Sequence, residues 1–196
     1  MDDCLYSNRD DWNGGFYELS IEYHPFGNDQ RINEALTALH ECSHIKSKSM
    51  SLPIQIEEGS VHTFYGSLSL SNSKGDELPI MITVVRVSDE SDWLDIAIPQ
   101  SAFEKKFSYK YPLTTELNPW LVKMNEVYVQ LAETIYRNSP FDLAMIGEEV
   151  SGCTNQADIT YEVMQNLTCI LPNQLIERLG LRGKGKELSN QLKLFC

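Results

Sequence analysis

Hydrophobic positions along the chain recur with two different periods, and the switches between them outline the elements. Phe16 to Tyr23 reads FYELSIEY, in which Tyr17, Leu19, Ile21 and Tyr23 alternate with Glu18, Ser20 and Glu22. A period of two sends successive side chains to opposite faces, so this stretch predicts a half-buried strand with its acids on the outer face. His24-Pro25-Phe26-Gly27 interrupts the alternation, and Asn28 or Asp29 then offers an N-cap. Ile32, Ala35, Leu36 and Leu39 follow at helical spacing, and the helix they predict fades near Lys46. The polar run Ser47 to Ser51 and Pro53 read as a loop.

Three strands come next, over Val61 to Ser71, Leu78 to Val87 and Trp93 to Ile98. Their separators SNSKGDE and SDESD are short and turn-forming, which predicts an antiparallel meander. The second of the three is apolar on both faces and belongs in the middle of the sheet. Asn118-Pro119 opens a helix whose buried stripe is Leu121, Met124, Tyr128, Leu131, Ala132 and Ile135, and which stops before Ser139-Pro140. Phe141 to Gly147 predicts a further buried strand, left by a loop over Gly147 to Gly152. Beyond residue 150 the patterns shorten. Ile159 to Met164 suits strand or helix, Thr168 to Leu171 a short strand, and Leu175 to Leu179 a short helix.

The order β-α-β-β-β-α-β lacks the regular β-α alternation of a doubly wound fold. It predicts an α+β class, a mainly antiparallel sheet with helices packed on one face. No segment is linker-like, so residues 1–179 read as a single domain, and the basic, glycine-broken residues 180–196 as a flexible tail.

Composition narrows the class. Hydrophobic residues at 42% and charged residues at 22% are ordinary globular values. Five cysteines, never spaced as C-x-x-C, make neither a disulfide framework nor a zinc ribbon and suit a reducing cytoplasm. Neither an export signal nor an 18-residue apolar run is visible, so a cytoplasmic protein without a membrane partner is expected.

The net charge of −12 argues against nucleic acid, whose phosphates require a cationic surface. Charge is also unevenly spread. Arg178, Arg182, Lys184, Lys186 and Lys193 against Glu187 leave the last 19 residues at +4, so residues 1–177 carry −16. A field of that sign steers basic protein partners. Oligomeric state leaves no mark in the sequence.

One stretch carries recognisable chemistry. His40-Glu41-Cys42-Ser43-His44 has the H-E-x-x-H spacing, in which two histidines one helical turn apart reach one zinc ion and the glutamate activates its water. These five residues and their neighbours resemble the zincin pattern of the zinc peptidases. The resemblance implies His40 and His44 as metal ligands and Glu41 as general base. Lys46 departs from the pattern, and the metzincin extension is absent from IKSKSM. A third ligand would have to come from Glu57, Glu58 or His62.

Acids also gather around tryptophans. Asp89, Glu90, Asp92 and Asp95 surround Trp93, Asp10 and Asp11 precede Trp12, and Glu148 and Glu149 leave a buried strand. Tryptophan among acids suits a binding hot spot for a basic partner, with Trp93, Asp92, Asp95, Glu148 and Glu149 as the contacting residues. No nucleophile pairs with a base in sequence. The reading that follows is a non-enzymatic, acidic binding protein without a cofactor, concretely an immunity or antitoxin-like inhibitor. The alternative is a zinc-dependent hydrolase built on His40, Glu41 and His44.

Overall fold

A computed structural model describes residues 12–47, 50–71 and 76–196. Asp10 and Asp11, and the tip of the turn expected around residues 72–75, lie outside them. Among the described residues the order is β1 (Phe16–Tyr23), α1 (Asp29–Glu41), β2 (Ile45–Ser47), β3 (Val61–Ser69), β4 (Glu77–Arg86) and β5 (Asp92–Pro99). Next come α2 (Gln100–Lys106), α3 (Leu121–Asn138), β6 (Leu143–Glu148), α4 (Tyr161–Met164), β7 (Thr168–Pro172), α5 (Asn173–Arg178), β8 (Lys186–Glu187) and β9 (Leu192–Phe195).

All nine strands form one sheet in the order β2-β3-β4-β5-β1-β6-β7-β9-β8. Every pairing is antiparallel. The class is therefore α+β with a mainly antiparallel sheet, and β3-β4-β5 is the predicted meander. β1 occupies the centre, between β5 and β6, with Tyr17, Leu19, Ile21 and Tyr23 in a core on one face and Glu18, Ser20 and Glu22 on the other.

Alternation along β1 sends its apolar side chains to the helix-covered face. Tyr17, Leu19, Ile21 and Tyr23 join Ile80, Ile82, Val84, Leu94, Ile96 and Ile98 under α1 and α3, whose stripes supply Ile32, Leu36, Leu39, Met124, Tyr128, Leu131 and Ile135. Burying a side chain of this kind stabilises by about 1.5–3 kcal/mol, so this face dominates the energetics. Asn28 caps α1, its side chain accepting from Arg31 N at 3.2 Å. Arg31 in turn donates to the Pro140 carbonyl at 2.6 Å and to Asp142 at 2.9 Å, joining α1 to the entry of β6.

The opposite face is covered only in part. Leu143 and Met145 of β6, Cys169 and Leu171 of β7 and Trp93 of β5 pack with Val150, Ile159, Met164, Leu175, Ile176 and Leu181. Both long helices thus lie on one face, while the short α4 and α5 and the loop after β6 close the other. Towards β3 that second face opens, and Val61 is 62% exposed.

The C-terminal residues depart from expectation. The glycines and lysines of residues 180–196 predict a flexible tail, yet β9 inserts between β7 and β8 with Cys169↔Phe195 and Ile170↔Leu194 in register. Leu192 is fully buried in the helix-covered core, and Phe195 packs against the second cluster. Leu192, Lys193, Leu194 and Phe195 alternate as a strand should. Their signal is four residues long, too short to stand out beside three glycines.

Candidate functional site

Register sets three rows of side chains across the second face, running from β6 through β1, β5 and β4 to β3. They read Gly147-Glu18-Ala97-Met81-Tyr65, Met145-Ser20-Asp95-Thr83-Thr63 and Leu143-Glu22-Trp93-Val85-Val61. The rows begin buried or half-buried, at Met145, Leu143 and Gly147, and end exposed. Glu18, Glu22 and Asp95 occupy the middle, where the second core ends and solvent begins.

These three acids are buried, Glu22 to 1% exposure. The sequence pattern predicted an outer, solvated row for Glu18 and Glu22. The loop after β6 folds back over them instead. Glu18 accepts from Ser151 N at 3.0 Å, Asp95 Oδ2 from Ser151 Oγ at 3.0 Å and Asp95 Oδ1 from Ser20 Oγ at 2.6 Å. Glu22 accepts from Ser91 Oγ at 2.7 Å and from the backbone N–H of Gln156.

Burial disfavours the ionised form of a carboxyl, and hydrogen bonds to it act the other way. Burial pushes Glu18 up to about 7, and the charges of Asp95 and Glu149 add to it while the N–H groups of Ser151 and Val150 oppose it. Glu22 is raised by burial and by Asp142, against Ser91, Gln156 and His24. Asp95 is raised by burial against its two serines.

Beside Glu22 the surface sinks into a cleft of about 400 Å³. Glu22, His24, Asp89, Glu90, Ser91 and Trp93 line one side, and residues 152–158 the other, ending in Asp158. Four carboxylates thus face it, and among the described residues lining it there is no lysine or arginine. His24 Nδ1 sits 3.2 Å from the Glu90 carbonyl and 3.3 Å from Ser91 Oγ, which orients the ring along the wall.

The acids picked out around Trp93 separate into different roles. Trp93 lines the cleft, and Asp95 lies one row away beneath Ser151. Asp92 is not a contact residue of any surface: it is fully buried on the helix-covered side and holds Arg86 at 2.7 and 2.9 Å. Alternation separates Asp92 from Trp93, since neighbours in a strand point to opposite faces. Glu148 accepts from Gln100 Nε2, and Glu149, at the surface, accepts from Phe16 N at 2.6 Å. Both therefore brace the ends of β1 and β5 rather than line the cleft.

The His40–His44 stretch does not build the geometry its spacing suggests. α1 ends at Glu41, and Cys42 at its C-cap is already extended, with φ −72° and ψ 130°. His44 lies beyond the helix, leading into β2, and its Nδ1 is 2.8 Å from the Ser69 carbonyl. The turn that would stack two imidazoles is missing, because Ile45 to Ser47 leave the helix to pair with Leu68 to Gly66. Among the described residues no three histidine, cysteine or acidic side chains converge as a metal set, Glu57, Glu58 and His62 included.

The four described cysteines, Cys42, Cys153, Cys169 and Cys196, are free, and Cys169 is pushed up to about 12 by burial, which leaves it protonated and unreactive. Glu18, Glu22 and Ser151 escaped sequence reasoning. The one available signal was that acids facing apolar residues in a central strand have no solvent to face.

This chain matches no family model, no curated protein and no solved structure. No helix among the described residues is long and apolar enough to cross a membrane.

Proposed function

We propose that the chain is a non-enzymatic binding protein that captures a cationic protein partner at the cleft beside Trp93, in the manner of an immunity or antitoxin-like inhibitor. One observation carries the reading: four carboxylates, Glu22, Asp89, Glu90 and Asp158, face a single cleft beside an indole, with no lysine or arginine among its described lining. Lysine or arginine side chains entering there meet uncompensated negative charge and an aromatic ring that favours cations. The adjoining open end of the sheet, where Val61 and Val85 end the Trp93 row, adds apolar area around that charge. A body at −16 speeds encounter with a basic partner and opposes nucleic acid. The free state of the described cysteines supports action in the cytoplasm.

The test uses charge reversal at exposed positions, which spares the core. Asp89→Lys with Glu90→Lys should slow association with the partner by about tenfold or more at low ionic strength, and physiological salt should slow the wild type likewise. A partner that binds the reversed variant as fast as the wild type, or whose association ignores salt, overturns the reading.

A further inference from the structure

We propose that the cationic partner is held by strand addition: an extended segment of it pairs with the free edge of β3 at Val61 and Thr63, its basic end lying among Glu57, Glu58, Asp89 and Glu90. The proposal rests on the cationic-partner reading and adds the backbone contact that seats such a partner.

Register defines the edge. Arg86 N donates to the Ser60 carbonyl at 3.2 Å, which continues the pairing Val61↔Val85. Alternate residues of an antiparallel strand bond to the same neighbour, so Ser60, His62 and Phe64 bond towards β4 while Val61 and Thr63 turn their N–H and C=O outward. On that outer side Ser69 N donates to the His44 carbonyl at 2.8 Å, and β2 pairs back as far as Gly66↔Ser47. Ser47 Oγ reaches the Tyr65 carbonyl at 3.1 Å. The outward groups of Val61 and Thr63 have no partner among the described residues.

This edge is unguarded. Lysine, proline or a bulge commonly blunts an edge strand. Residues 61–65 carry neither lysine nor proline, and their register with β4 is unbroken. Val61, Thr63 and Tyr65 are exposed on the face that carries the cleft. A strand laid beside them places every second side chain on that face, where apolar, β-branched residues pack best against Val61 and Tyr65.

Charge selects the occupant. Glu57 and Glu58 precede β3, and the register sets the β4–β5 turn with Asp89 and Glu90 beside them, all four exposed. Arg86 is the one lysine or arginine in residues 56–64 and 84–91, and it is buried and held by Asp92 and Asp29. A segment running out past Val61 therefore meets acids whose charge is not neutralised locally. A second copy of the chain fits poorly. In a two-fold pairing centred on Thr63, Ser47 of one copy would fall on Ser60 of the other, because β2 occupies the same edge from Gly66 onward.

Selection of random peptides of about ten residues on the immobilised full chain supplies the probe, and fluorescence anisotropy measures their binding. The selected peptides should alternate apolar residues, carry lysine or arginine at one end, and bind Thr63→Pro about tenfold or more weakly. Proline there removes only an outward N–H, a change that edge strands tolerate, and an unchanged melting temperature verifies the fold. N-methylation of the peptide nitrogens that face β3 should abolish binding, and methylation of the intervening ones should not. That comparison leaves the protein unaltered. Basic peptides that ignore both Thr63→Pro and N-methylation overturn the inference and leave the cleft reading standing, which Asp89→Lys with Glu90→Lys tests separately. Selected peptides without basic residues overturn both. A selection that yields no binder overturns the inference, as does a wild-type dimer in sedimentation that Thr63→Pro dissolves, which assigns the edge to a second copy.

Discussion

Asp92 holds Arg86 through both carboxylate oxygens, Oδ1 to Nε at 2.7 Å and Oδ2 to Nη2 at 2.9 Å, with both side chains buried. The pair ties β4 to β5 and reaches further, because Arg86 Nη1 also meets Asp29 at 2.8 Å and the Ile56 carbonyl, and Asp92 accepts from Gly27 N at 3.0 Å. Removing Asp92 leaves the buried Arg86 with only the partly exposed Asp29 as counter-charge, whereas removing Arg86 and Asp92 together leaves no buried charge. Asp92→Ala should therefore cost about 3–5 kcal/mol in chemical denaturation, and Arg86→Met with Asp92→Leu less than either single change. A loss below about 1 kcal/mol for Asp92→Ala would contradict the grip.

Glu18 makes stability depend on pH in the sense opposite to a surface salt bridge. Its folded value, about 7, lies above the ordinary 4.5, so the folded state holds the extra proton between them. Stability from this group is greatest below the ordinary carboxyl value and is lost as pH rises through about 7. Glu18→Gln should flatten that part of the profile and leave the variant the more stable protein at about pH 8, in melting curves taken across the range. Parallel curves for the two proteins would refute it.

His40 and His44 should behave differently from one another. His44 is half-buried and bonded to the Ser69 carbonyl, while His40 is exposed at the end of α1. His44→Ala should cost about 1 kcal/mol and His40→Ala less than about 0.5 kcal/mol. A shared metal would make the two losses equal and zinc-dependent, which denaturation with and without added zinc separates.

Truncation after Leu179 should be damaging. It removes β9 from the β7 edge and Leu192 from the core, and Leu192→Ala alone should cost about 2–5 kcal/mol, as deletion of a fully buried leucine does. A melting temperature unchanged by the truncation would mean that β9 contributes nothing to stability.

Local periodicity was enough for the frame of this molecule. FYELSIEY predicts β1 over the same residues that form it, and of the two caps the sequence offers for α1, Asn28 and Asp29, the first is used. The apolar stripes and turn clusters bring the meander and α3 within a few residues of their observed ends, because each rests on contacts between near neighbours. What the sequence could not determine is where a face ends and what covers it. Glu18 and Glu22 look like a solvated row until the loop after β6 lies over them. Asp92 and Asp95 look alike until the register sends one to Arg86 and the other to Ser151. His40 and His44 look like one helical face until β3 draws Ile45 to Ser47 into the sheet. Each of these outcomes turns on a pairing between residues distant in the chain, and pairing energy depends on the partner's position, which no local period encodes.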